Sequence, residues 1–289
     1  MGKFDGKQII GLVGNLVLKK GPKGSTIIQT RPHPGKQTAA SKTTANIFAK
    51  ASTLSKVIRL DLSVLINGFY DGAMVNRLTR QNREILEQCY NKDTKQYTFN
   101  EDSFSRLAGF EFNLKSPLAK SLWAVPQLNL IGNQLTLSLP AMEINEHLKF
   151  PARSNVCEIT VALAFYNLEA GVHKNSVFQK LEINTEQCLV PAHDFTFEVP
   201  AGCLCVMGIR LKYAMLTDNV KVIRNTKDFN PAGLCGAVMT PGEFVLTPGE
   251  IVPNGRLASV WKNVDKLKLY KDLPAAEGDT SPPGVPQIF

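Results

Sequence analysis

The chain lacks any apolar run near the ~18 residues that a membrane-spanning helix requires. Its longest early candidate, Ile9 to Leu18, is flanked by Lys7 and by Lys19 and Lys20. Two glycines and an asparagine interrupt that stretch, and no small-x-small cleavage site follows it. A secretory signal is therefore not expected. Histidine is also scarce. His33, His147, His173 and His193 are the only four, and they fall mostly in expected loops. His193 has an acid, Asp194, as its neighbour, but adjacent residues on an extended chain point apart. There is no Gly-x-Ser-x-Gly, so no nucleophile, base and orienting group announce themselves. Glu143, Glu146 and Glu158 are scattered among expected strands and form no acid–base pair.

Metal and phosphate signatures are missing too. The six cysteines are Cys89, Cys157, Cys188, Cys203, Cys205 and Cys235. None stands in the paired Cys-x2-Cys or Cys/His sets of a zinc site. Cys203 and Cys205 sit in an apolar run, where a strand would turn both to one face as small buried hydrophobes. Free buried thiols are expected, as in a reducing interior or in a particle assembled inside a cell. The segment from Gly21 to Thr26 has the composition of a P-loop in the wrong order. Gly35 and Lys36 lack the earlier glycine, because Thr30 holds its place, and Gln37 follows the lysine. No motif implies a cofactor or a metal.

Acidic residues are nearly absent from the first sixty positions. Eleven basic side chains stand there against one acid, Asp5, so that segment carries +10. The whole chain carries +8, so residues 61–289 carry −2. The basic side chains Lys3, Lys7, Lys19, Lys20, Lys23, Arg31, Lys36 and Lys42 are the candidate contacts for a partner or a nucleic acid. Such a charge density is an electrostatic footprint for polyphosphate. Aromatics for base stacking are few there, only Phe4 and Phe48. Binding to DNA or RNA would then be backbone-directed and independent of sequence. A solvated arm, or one docked on an acidic protein surface, is the competing reading.

What is present divides into four segments. Residues 1–36 read as a basic hairpin and arm. Leu16 to Leu18 and Thr26 to Ile28 are β-prone, a Gly- and Pro-bearing turn separates them, and an extended arm runs from Arg31 through Gly35. Residues 37–108 read as helical. Ile47, Ala51, Leu54, Ile58, Leu62 and Leu65 recur at helical spacing, with Thr38 or Ser41 as N-cap. A second stripe runs through Val75, Leu78, Asn82, Ile85 and Cys89. The connection is short, so the two helices should form an antiparallel pair. A single helical turn is expected from Asp102 to Leu107. Residues 109–240 then change to period two. Expected strands are 109–114, 133–139, 156–167, 177–187, 193–199, 204–216 and 219–224, with Arg210 and Lys212 on the outer face of the sixth. Gly, Pro, Asn and Asp punctuate them, which argues for an antiparallel β-sandwich, immunoglobulin-like or jelly-roll in kind. Residues 241–289 form a turn-rich and Pro-rich extension. Thr240-Pro-Gly-Glu recurs at Thr247, and residues 274–289 are expected to be disordered or laid along a partner. The fold class is thus α+β, a hairpin and helical pair followed by a sandwich with extended termini.

The order of these features carries a resemblance. The run from Gly11 to Gly21, the Gln29-Thr-Arg-Pro element, the helix start from Lys36 to Thr44 and the helix end Ile66-Asn-Gly-Phe come in sequence before a β region. Over about residues 6–215 this resembles an uncharacterised family of the Bacteroidota, a domain of unknown function. The resemblance implies a short Gly- and Lys-containing N-terminus, a helix and a C-terminal β-domain. It brings no activity and no catalytic residues. The extension after about residue 240 departs from it. The helix start is also similar, more weakly, to one in small phage structural proteins.

These readings point to a non-enzymatic structural or assembly protein, a multi-copy component of a virion or phage-like particle. Its terminal arms would contact neighbouring subunits. A cytoplasmic nucleic-acid-binding protein using the basic arm is the alternative. An enzyme is a third, since folds of this class host sites that a sequence does not announce. A cytoplasmic or virion location without a membrane span fits each.

Overall fold

A computed structural model describes residues 2–31, 37–245 and 261–269. Lys36, most of the expected arm after Arg31, the second Thr-Pro-Gly-Glu and the segment 274–289 lie outside the described residues. The chain divides into two units, Met1–Thr44 and Ala45–Phe289.

The first unit is built on a four-stranded antiparallel meander, not a single hairpin. Its strands are β1 (Lys3–Phe4), β2 (Ile9–Val13), β3 (Leu16–Lys20) and β4 (Thr26–Thr30), in spatial order β1-β2-β3-β4. The interruption that argued against one long apolar segment is itself a turn. Gly14 and Asn15 form the two-residue loop between β2 and β3, with Gly14 at φ 57°. A glycine in the left-handed region at the first loop position suits the twist of a tight hairpin. A 3-10 turn at Pro22–Gly24 makes the next reversal, and Arg31 N donates to Asn15 O at 2.6 Å.

α1 (Ala39–Asp61) follows, opened by Thr38, whose hydroxyl accepts from Ser41 N at 3.2 Å. This is the expected N-cap. The stripe Ile47, Ala51, Leu54, Ile58, Leu62 and Leu65 is buried throughout. The helix breaks at Leu62, and the short α2 (Ser63–Ile66) ends on Asn67, at φ 49°. α3 (Met74–Cys89) meets α1 where Asn82 Nδ2 donates to the buried Ser55 Oγ at 2.8 Å. So the single polar residue of the second stripe is a bonded contact within the core. A small hairpin of β5 (Tyr90–Asn91) and β6 (Gln96–Tyr97) follows α3, and the expected single turn is 3-10 at Ser105–Leu107.

The rest of the second unit is mostly antiparallel sheet. The strands are β7 (Gln127–Ile131), β8 (Gln134–Leu139), β9 (Met142–Glu143), β10 (Val156–Asn167), β11 (Val172–Asn184), β12 (Leu189–Val190), β13 (His193–Glu198), β14 (Leu204–Thr217), β15 (Val220–Ile223), β16 (Ala232–Met239) and β17 (Trp261–Asn263). A six-stranded sheet runs β15-β14-β10-β11-β17, with β16 also on β14; a three-stranded sheet runs β13-β8-β7. One apolar cluster joins the two sheets, for example Leu137 and Phe195 with Ile159, Val161 and Ile209. The other face of the six-stranded sheet carries Ala162, Ala164 and Val206, which pack with the helices through Leu54, Ile58 and Leu65. The fold is therefore α+β with a β-rich body and a helical layer.

Three expectations fail for physical reasons. Residues 109–114 are not a strand. They form one bridge, Glu111 to Gly233, and Gly109 sits at φ 77°. β16 was not expected, because glycines and small residues give it no alternating pattern. Its glycines serve close approach: a Cβ on Gly233 would meet Phe110 O at 2.7 Å, and one on Gly236 would meet Leu128 Cδ2 at 2.6 Å. Arg210 was expected on an outer face but is only 7% exposed.

Candidate functional site: the N-terminal sheet and the buried polar groups

The first unit holds most of the candidate contacts, and its chemistry follows from cross-strand register. Side chains of directly paired residues share a face. Phe4 pairs with Ile9, Leu16 with Val13 and Thr30, and Leu18 with Gly11 and Ile28. One face therefore carries Phe4, Ile9, Val13, Leu16, Leu18 and Ile28. The opposite face carries Ile10, Leu12, Val17 and Ile27, by the pairs Lys3 to Ile10, Leu12 to Val17 and Lys19 to Ile27. Among the described residues of this sheet none is buried. Phe4 is 69% and Ile28 61% exposed.

The cations interleave with these apolar side chains. Lys3 and Lys19 lie on one face and Lys20 on the other, while Lys7 sits in the turn between β1 and β2. Arg31 follows β4. Lys42 is exposed in the first turns of α1, its amide donating to Thr38 O at 3.0 Å. Lys23 lies in the 3-10 turn, and its side chain is outside the described residues, as is Lys36. The lone acid is committed locally. Asp5 Oδ1 accepts from Gln8 N at 2.9 Å and Lys7 N at 3.1 Å, and these two amides hold its carboxyl below the ordinary value. Among the described residues Lys20 is its one cationic partner, at 3.9 Å. Among the described residues of the sheet, the lysines thus outnumber the one acid.

In the second unit, three polar clusters appear that sequence reasoning did not assemble. Asp61 and His173 are 112 residues apart, yet Asp61 Oδ2 stands 2.7 Å from His173 Nδ1, and both are buried. His173 lies within β11, not in a loop, and stacks on Tyr166. Burial first, then the Asp61 carboxylate, pushes the Tyr166 phenol well above its usual range. Ser176 Oγ adds a bond to Asp61 O at 2.6 Å, so this group ties the end of α1 to β11. The second cluster gathers Lys180, Arg210 and Lys212 around Glu158. The third is Asp71, which accepts from Ala73 N at 2.9 Å, Leu114 N at 3.1 Å and Arg77. His193 and Asp194 open β13, where they point to opposite faces, as adjacent residues of a strand do.

A cleft of about 680 Å³ opens beside β11 and β13. Phe165, Phe197 and Trp261 line it, with Lys174, Glu198 and Glu243 at its polar side. Its described lining contains no serine, cysteine or histidine. No group of three or more His, Cys, Asp or Glu side chains suited to a metal ion occurs among the described residues. No helix among them is long and apolar enough to cross a membrane. No family model, no curated protein and no solved structure matches the chain.

Proposed function

We propose that this is a non-enzymatic structural protein of a multi-copy assembly, of the virion or phage-like kind, whose N-terminal sheet docks on a neighbouring subunit. One observation carries this reading: a four-stranded sheet with no buried residue, apolar on both faces. Sheets are stabilised by burying a face against another layer, at roughly 25 cal/mol per Å² of apolar surface. A single layer of such short strands has no core of its own. Contiguous exposed apolar surface of this sort is the mark of an interaction site. The body that carries it is read as an antiparallel β-sandwich, immunoglobulin-like or jelly-roll in kind, on the strength of the two sheets sharing one apolar cluster. The resemblance to the Bacteroidota family adds no activity to set against this.

Light scattering on the full chain tests it. A concentration-dependent oligomer is expected, and Ile28→Lys should weaken it. A monomer at every concentration up to the millimolar range would overturn the reading.

The second reading, sequence-independent binding to DNA or RNA in the cytoplasm, draws on the net charge of +10 over the first sixty residues. Retention on nucleic acid should then fall steeply with salt, and a slope near zero removes it. The cations are spread over both faces and the turns, between apolar side chains. That distribution suits a protein surface better than a phosphate-tracking stripe.

A further inference from the structure

The helical face of the six-stranded sheet changes character along its length. Register defines the rows. Gly208 pairs with Ala162 and Leu234, and there the helical layer is in contact: a Cβ on Gly208 would stand 2.6 Å from Leu65 Cδ1 of α2. The next row, two residues on, is Ala232, Arg210, Thr160 and Lys180. The row after that is Lys212, Glu158 and Glu182. So where α2 ends, an apolar face becomes a charged one. The charged part opens to solvent at Lys180, whose side chain is 44% exposed, whereas that of Arg210 is 9% exposed.

The charges in this patch do not balance. Glu158 accepts from Lys180 Nζ at 3.2 Å and from Thr160 Oγ1 at 3.4 Å. Lys212 Nζ is 3.7 Å and Arg210 Nη2 3.9 Å from the same carboxylate. Burial works to raise the Glu158 carboxyl, but the Lys180 bond and the cations outweigh it and hold it below its ordinary value. It is a single negative charge serving three cations. The neighbouring carboxylate, Glu182, has its own partner in Lys221. The carbonyls at the end of α2 are engaged as well, since Asn230 Nδ2 reaches Leu65 O and Ile66 O, each at 3.4 Å. Among the described residues Arg210 has no close acceptor. Its buried Nε has none among the described residues, and its one carboxylate lies beyond hydrogen-bonding distance. Leaving a buried N–H donor unbonded is costly. A rigid fork of donors beside two lysines is the composition that recognises tetrahedral oxyanions.

We propose that Arg210, Lys212 and Lys180 form a binding site for a doubly charged oxyanion, a phosphate group or sulfate, at the edge of α2. The anion supplies the acceptors that Arg210 lacks and cancels the excess of two positive charges. Glu158 stays beneath it and keeps the two lysines in place. The site lies in the second unit and does not depend on the assembly reading.

Calorimetry and thermal unfolding of the full chain with inorganic phosphate test this, against sodium chloride at matched ionic strength. A saturable heat of binding is expected. A rise in unfolding midpoint beyond the chloride control is expected at about 50 mM phosphate, by linkage. Lys212→Gln and Lys180→Gln, at part-exposed positions, should each weaken binding several-fold, and Arg210→Met by about tenfold or more. Should Arg210→Met fail to fold, the two lysine variants still decide the matter. Lys19→Gln with Lys20→Gln in the basic sheet should leave binding unchanged. A response equal to that of chloride, or one lost in the Lys19 and Lys20 variant but kept in the Lys212 and Lys180 variants, would overturn the site. Adenosine monophosphate in place of phosphate distinguishes the sources. Tighter binding assigns the site to a phosphate monoester and equal or weaker binding to the free ion, and each result supports an oxyanion site.

Discussion

Asp71 shows how much one side chain can organise. It receives two backbone amides and the Arg77 guanidinium, which itself donates to Glu111 O at 3.0 Å. Burial works to raise its carboxyl, but the amides of Leu114 and Ala73 and the Arg77 bond outweigh that and lower it. A lowered folded value means stability that is present above the unfolded value, near 4, and lost as pH falls through the folded one. Asp71→Asn should therefore cost about 2 kcal/mol at neutral pH. The gap between the variant and the natural chain should close as urea unfolding is repeated at progressively lower pH below about 4. A gap unchanged at pH 3 would show that the carboxylate's charge is not what matters. The cysteines make a second prediction at this scale. Cys203 is pushed up to about 12 by burial, and Cys157 and Cys205 are also buried and raised. Cys188 is exposed. A maleimide reagent should label Cys188 rapidly in the folded protein, while Cys157, Cys203 and Cys205 react only on unfolding, as mass spectrometry would count. Rapid labelling of those three would contradict the packing described here.

Among elements, α2 and β14 are fitted to each other through a missing side chain. Gly208 lies under Leu65 and beside Gly233 O, which a Cβ would approach to 2.6 and 3.0 Å. Gly208→Ala should cost about 1–3 kcal/mol as α2 is lifted from the sheet. Its unfolding midpoint in urea should fall with the slope unchanged. An unaltered midpoint would mean that Leu65 moves aside freely. The helical stripe from Ile47 to Leu65 was legible beforehand, because a 3.6-residue period is written in consecutive positions. β8 and β13 were legible for the same reason at period two. β16 was not, since Gly233 and Gly236 are chosen for what lies above them, and nothing local records that.

For the whole molecule, the division into two units sets the expectation. Both apolar clusters begin at or after Ile47, and no described residue of the N-terminal sheet is buried. Removing residues 1–37 should leave the unfolding midpoint of the body nearly unchanged while abolishing self-association. Circular dichroism on heating and light scattering report the two outcomes separately. A body that no longer folds would show that the sheet stabilises it, and an oligomer that persists would place the contact elsewhere.

The sequence by itself determined the charge asymmetry, the helical stripe from Ile47 to Leu65, the turn to antiparallel strands and the burial of Cys203 and Cys205, though not the break at Leu62 or the exposure of Cys188. Each depends on composition or on a period between near neighbours, and backbone geometry converts those directly into faces. Only the tertiary structure decided that Gly14 and Asn15 make a hairpin of an interrupted apolar stretch within a four-stranded meander. It also decided that Asp61 meets His173, and that Arg210 lies buried among cations. Those outcomes depend on which strands pair and in what register, where a shift of one residue moves a side chain to the opposite face. Arg210 alternates along β14 as any outward residue would. Nothing in its neighbours along the chain records that α2 packs on the same face two residues away, at Gly208.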